Sequence, residues 1–524
     1  MKELAILLVA AGLLAGCAQE KPCSGSKKET PKVDKKDQPK PAVQQPKAEP
    51  KAEPKSAAKT AAPKSDAPKV TPAVAAKPLP ANGVASGSGE SIRFAVGWSQ
   101  NASPITAAIE ATKAALAHLG CPAKAVVFYT YFQDPAFQPD ESTQATACKA
   151  DLAAEDKVAE TVNQACDGVP NLGCRARPLV NGGTLQQNAV GVLAVGGKLC
   201  TAAAAQTEIQ DDRLATGKAI GEQLKNVKDL KLVLALAEMR LSFEAKEGVS
   251  VEDFIKGVLD AAPAGVTLFG GNSMPDKMPA ELHGKQFFNG KALKGHVVAL
   301  GLGGPFGLFG NHTNEFTPSA RTAEVTEVKG KWVVKLDGKP AEQVYRELTG
   351  MKADDKLSSD WLHPVGVDLG GGKCYTRMIL NWVNGGKDKD GKAADAPDGS
   401  LAFVAPLAAG SKVYCLSCQM KAGPIIESAK AGISESVAAA RKAGDKPALA
   451  LLSNCCARGM RLRTFTKGGE DEVQQAILPA LGGNVPVFGF YAWGELGQIQ
   501  GRYQGMTHQY QQHTFVSAVV GVKN

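Results

Sequence analysis

Thr322–Gly350 reads TAEVTEVKGKWVVKLDGKPAEQVYRELTG, and here the chain changes pattern. Thr326–Lys335 alternates apolar and polar residues around Lys329-Gly330-Lys331, which predicts a hairpin. Asp337-Gly338 predicts a turn, Pro340 the first position of a helix, and Gly350 its C-terminal cap. A boundary near residue 340 follows, dividing the folded chain into residues 91–339 and 340–524.

Working outward, strands and helices alternate. Ile92–Trp98 reads as a strand, and Ser103–Leu119 as a helix with Pro104 in its first turn. Ala125–Phe132 is a buried strand, Val158–Ala165 a helix and Val190–Gly196 a strand. The order recurs with Leu230–Ala237, Val251–Ala262, Val266–Ser273 and His296–Gly304. It recurs again with Ala448–Ser453, Glu470–Leu481, Val485–Trp493 and Thr514–Val522. Three units of similar span, about 125–197, 230–304 and 448–522, point to internal duplication. The expected class is α/β, mixed α+β, built of repeated helix–strand–helix–strand–strand units.

The 524 residues are 44% hydrophobic and 21% charged, which excludes a wholly disordered chain and a multi-span membrane protein. The net charge of +8 is uneven: residues 18–90 hold 14 Lys against 8 acidic residues, or +6. Since Lys2 and Glu3 cancel, residues 91–524 carry 8 − 6 = +2, so a nucleic-acid partner is not expected. Residues 1–17, MKELAILLVAAGLLAGC, form a short apolar run ending in Leu-Ala-Gly-Cys, which resembles the lipobox of bacterial lipoproteins. The resemblance implies a signal peptide over 1–17, lipidation of Cys17 and an extracytoplasmic membrane anchor. Ala18 after the cysteine permits the outer membrane if the cell is Gram-negative. Residues 18–90, rich in Lys, Pro and Ala and free of aromatics, read as a disordered tether.

Of 12 cysteines, 11 remain without Cys17. Cys148, Cys166 and Cys174 lie in a polar insertion and suggest disulfide staples in an oxidising compartment. Cys415-Leu-Ser-Cys418 has metal or redox spacing but no second pair, and a local disulfide or packed thiols are preferred. Gly301–Gly310 lacks the lysine and helix start of a phosphate loop, and Lys387–Gly391 lacks the ligands of a calcium loop. No metal and no cofactor are expected.

Five stretches resemble FIST proteins, whose paired N and C domains are proposed sensory input modules. They are Gly97-Trp98-Ser99; Leu336-Asp337-Gly338-Lys339-Pro340-Ala341 running on to Tyr345; His363-Pro364-Val365-Gly366 with Arg377 downstream; Cys455-Cys456-Ala457-Arg458; and Gly489-Phe490-Tyr491 through Gly494-Glu495-Leu496-Gly497. The resemblance spans about residues 92–522 and implies a FIST-N domain over 91–339 and a FIST-C domain over 340–524. Two features depart from the family: Gln511-Gln512-His513-Thr514 stands where it has His-Asn-x-Thr, and residues 138–185 are longer and richer in cysteine.

The repeat puts Cys455, Arg458 and Glu495 at strand ends in one unit, where Arg377 and His363 could converge with them. Arginines suit a carboxylate and Glu495 an ammonium, matching the amino-acid-like ligand the resemblance implies. An Arg458–Glu495 ion pair locking glycine-rich turns is the structural alternative. An enzyme would instead use Cys455 as nucleophile with His363 or His513 as base. The expectation is a non-catalytic, anchored ligand sensor that signals through a separate envelope protein. A ligand-free scaffold and a Cys-dependent hydrolase or transferase are the alternatives.

Overall fold

The computed structural model describes residues 82–88, 91–132, 155–185, 189–243, 249–277, 281–352, 354, 355, 357, 363–368, 370, 374–417, 421–466, 471–482, 484–498 and 508–523. Cys17, Cys148, Cys418 and the signal segment lie outside them. Among the described residues no helix is long and apolar enough to cross a membrane.

The fold is mixed α/β. Three of its sheets share one topology. In the first, Arg93–Ser99 opens the unit, the Pro104–Leu119 helix follows, and Ala123–Tyr131 runs parallel to Asn171–Arg175 after a helix over 155–166. Ala189–Gly196 then inserts antiparallel between the opening strand and Ala123–Tyr131. The second sheet repeats this with Thr201–Glu208, Leu230–Ala237, Thr267–Asn272 and His296–Gly303. The third uses Phe306–Thr313, Asp445–Cys455, Val487–Ala492 and Phe515–Lys523.

After its second parallel strand, each unit sends a short strand to a different sheet. Pro178–Val180 leaves the first unit and pairs with Val487–Ala492 of the third. Glu495–Gln498 leaves the third and pairs with Thr267–Asn272 of the second. Gln286–Phe288 leaves the second and pairs with Asn171–Arg175 of the first. The exchange is therefore cyclic.

Burial follows the same plan. Fully buried strands such as Ala189–Gly196 (AVGVLAVG) must be apolar on both faces. One face of each of these three sheets feeds a shared core holding Val127 and Tyr129, Leu234 and Leu236, Leu451 and Phe490. The other faces carry separate helix layers around Phe254, Ile433 and Ala111. Helix ends obey local chemistry: Ser103 Oγ accepts the Thr106 amide, and Gly120 closes the same helix at φ 67°.

Residues 317–417 interrupt the third unit. They form a nine-stranded sheet around the Thr317–Lys329/Trp332–Leu336 hairpin, with the Ala341–Thr349 helix packed on it and capped by Gly350.

Two expectations are corrected. The tether does not extend to residue 90, because Asn82–Ser88 is an edge strand fully registered with Arg93–Ser99. Lysine and proline stop at Pro80, and Gly83 leaves no room for a side chain: a Cβ there would lie 2.3 Å from the Trp98 ring. Among the described residues none of the expected disulfides forms. Cys166 and Cys174 are buried free thiols on opposite sides of the first sheet, Cys166 in its helix layer and Cys174 in the shared core. Cys121, Cys200, Cys374, Cys455 and Cys456 are also free thiols.

Candidate functional site

The parallel pair Asp445–Cys455 and Val487–Ala492 ends where the third unit sends its strand into the second sheet. Leu449 and Leu451 face the shared core, while Ala450 and Leu452 face the helices. Alternation thus turns Cys455 inward and Asn454 outward. Trp493 and Gly494 make the crossing. Gly494 has φ 109°, a conformation glycine favours, and its carbonyl accepts the Asn272 amide at 3.0 Å. Glu495 follows at once.

Cys455 and Glu495 meet there; the His513 backbone adjoins Cys455 while its ring lies edge-on to Phe316 at 5.7 Å, and all three residues are buried. The Cys455 amide donates to the Thr514 carbonyl at 2.9 Å. Glu495 Oε2 accepts from the Thr514 hydroxyl at 2.8 Å and from its amide at 3.2 Å. Burial pushes the Cys455 thiol up, but donors from Cys456, the Ala457 and His513 amides and the Arg461 charge outweigh it and leave the pKa at about 7. Burial and the neighbouring Cys455 charge hold the Glu495 carboxyl well above its usual range. Burial, with the charges of Arg461 and Arg458, keeps His513 neutral. The site thus pairs a thiolate-forming sulfur with a carboxyl held toward its protonated form, and the neutral His513 imidazole lies against Phe316. Among the described residues, Glu495 Oε1, both His513 ring nitrogens and Gln512 Nε2 are buried with no hydrogen-bond partner.

A second cluster lies on the helix side. Arg458 pairs with Glu315, and with Glu472 at 3.4 Å; its other donors reach Asn454 Oδ1 at 2.9 Å and the Ile425 carbonyl at 3.0 Å. Arg461 also pairs with Glu315, and Tyr491 donates to Glu472 at 2.9 Å. The Arg458–Glu495 pair weighed as the structural alternative does not form: Arg458, on the Cys456–Thr466 helix, meets Asn454 and Glu472 instead. Arg458 is consumed by carboxylates of its own chain, which corrects its assignment as a ligand contact.

Arg377 pairs with Glu252 at 2.9 Å and stacks on Tyr375. Its neighbour Met378 donates its amide to Gln512 Oε1 at 2.9 Å, which ties this strand to the site. The His363 carbonyl accepts from Tyr345 OH at 2.9 Å. Of the five residues singled out in the sequence, the structure joins Cys455 and Glu495 directly. Glu315 and Glu472 were missed. Arg461 was missed too, although its i+3 spacing from Arg458 on the Cys456–Thr466 helix is a readable sign. A cavity of about 630 Å³ opens at the far end of the strand, beside Asp445, Arg441 and Gly482. It holds none of this chemistry.

A FIST N domain model matches residues 145–339, and a FIST C domain model matches residues 341–498. The chain carries paired FIST domains. Cys455 and Glu495 belong to the matched FIST C domain, and His513 follows it. FIST domains are associated with small-ligand sensing and signal transduction. No curated protein matches the chain. Among solved structures, T. maritima PurL complexed with AMPPCP aligns at 12% identity over 84% of this chain and 75% of that one. Its TM-score of 0.18 carries no argument about this fold.

Proposed function

We propose that this FIST protein is a small-ligand sensor whose recognition group is the Cys455–Glu495–His513 cluster. One observation carries the reading: Glu495 Oε1, the His513 nitrogens and Gln512 Nε2 are buried with no hydrogen-bond partner among the described residues. Such groups are costly to bury and are ordinarily satisfied. A ligand whose ammonium group draws Glu495 into its ionised form, and which offers a donor to His513 and an acceptor to Gln512, would satisfy them. Amino-acid-like molecules have that composition. The cluster is closed, so ligand entry and a conformational change are coupled, which suits a sensor. In this reading Cys17 carries the lipid anchor, the folded part lies outside the cytoplasm, and the signal passes by contact with another envelope protein.

A second reading draws on Cys455: a sulfur with a pKa of about 7, held by amide donors, is a competent nucleophile. It predicts consumption of the ligand, whereas the sensor returns it unchanged.

The test is a melting-temperature screen of the full chain against free amino acids and their amides. A selective, saturable rise that Glu495→Gln weakens supports the sensor. A flat response from folded protein rejects it and favours an interaction scaffold.

A further inference from the structure

The cyclic exchange gives three equivalent crossings, at Arg177, Lys285 and Gly494, each one residue before its exchanged strand. Each crossing residue lends its carbonyl to the sheet it joins: Arg177 to the Tyr491 amide at 3.1 Å, Lys285 to Arg175 at 2.9 Å, Gly494 to Asn272 at 3.0 Å. The Lys285 cation is matched by Asp156 at 2.6 Å. Among the described residues no carboxylate pairs with the Arg177 cation.

Arg177 is 7% exposed, and its Nε is buried with no partner. Among the described residues its side chain meets the Tyr131 ring, whose centroid is 4.7 Å from the guanidinium carbon. The other buried arginines are compensated: Arg175 by Glu155, Arg377 by Glu252, Arg458 and Arg461 by Glu315, and Arg213 by the carbonyls of Leu241 and Arg240. A ring quadrupole offsets only part of the cost of burying a full charge. A guanidinium lying over a ring still presents its N–H edge, the fork that binds an oxyanion through two parallel hydrogen bonds.

We propose that Arg177, backed by Tyr131, is the anchor of a small-oxyanion site at the crossing between the first and third sheets. This site is separate from the Cys455 cluster and does not depend on the function proposed for it. The ligand is a molecule bearing a carboxylate or a phosphoryl group.

The test uses the full chain and titrates acetate, succinate and inorganic phosphate against chloride at matched ionic strength, following melting temperature and binding heat. Wild-type protein should respond saturably to at least one oxyanion. Succinate without phosphate would assign a carboxylate, and the reverse a phosphoryl group. Arg177→Gln should abolish the response and, with no anion present, melt higher than wild type. Arg177→Lys, which keeps the charge but loses the fork, should bind roughly tenfold more weakly. The proposal is overturned if no oxyanion exceeds chloride, or if Arg177→Gln keeps the response. It is equally overturned if Arg177→Gln melts lower without anion, because the cation would then already be compensated within the chain.

Discussion

At Lys285 and at Arg177 the backbone makes the same move from one sheet to the next, yet the two cations meet different surroundings. The helix that follows Lys285 in space begins Glu155-Asp156 and supplies a carboxylate. The equivalent helix of the third unit is led by Asp471-Glu472, but both acids are engaged. Asp471 accepts the Thr184 and Val473 amides at 2.7 and 2.9 Å, and Glu472 is held by Arg458, Asn454 and Tyr491. Equivalent backbone positions thus differ in function through who has already taken the neighbouring carboxylate. The third crossing makes the same point with Gly494, which brings no cation and leaves a cluster of unpartnered polar atoms instead.

The largest expected effect tests the compensated network. Glu315→Gln would leave Arg458 and Arg461 without their shared carboxylate. Loss of one partner from a fully buried set costs about 3–5 kcal/mol, measurable as a lower urea midpoint. The next contrast has opposite signs at the two crossings. Lys285→Met should lower stability by only about 1 kcal/mol, because Asp156 is half exposed and screened. Arg177→Met, which removes an uncompensated buried charge, should raise it by about 1–2 kcal/mol. Equal signs would break the comparison.

A pH contrast sharpens the third crossing. His513 is held neutral, so its contribution is full above the unfolded histidine pKa of about 6.5 and is lost as pH falls below it, by at most about 1.4 kcal/mol per unit. Glu495, held protonated, acts in the reverse sense: its contribution is present below the unfolded carboxyl pKa and is lost as pH rises through the raised one. The two slopes oppose each other in mildly acidic solution. The prediction is therefore a difference: His513→Gln should lose less stability than wild type on acidification, and Glu495→Gln should lose more. Urea unfolding at several pH values checks both.

Much of this fold is legible in the sequence because its strands are buried on both faces. LKLVLALA and VGVLAVG announce themselves, and Ser103-Pro104 or Gly350 mark helix ends by local chemistry alone. The exchanged strands were hidden for a physical reason. Pro178–Val180 and Gln286–Phe288 are three residues long and take their stability from partners far along the chain. Asn171–Arg175 (NLGCR) was missed because its Arg175 faces Glu155 and breaks the apolar run. In the site, Cys455 and Glu495 could be picked out as strand-end residues. The partner of Arg458 could not, since Glu315 lies 143 positions away and nothing near it signals the contact.

The account rests on the Cys455–Glu495–His513 cluster being where ligand binds. The most direct test is the ultraviolet absorbance of the Cys455 thiolate, taken as wild type minus Cys455→Ser and followed from roughly pH 5 to 9 with and without the amino acid that raises the melting temperature. The account predicts a transition near pH 7 that moves when that amino acid is added. A melting temperature that rises while the thiolate transition stays in place would put the ligand elsewhere and contradict it.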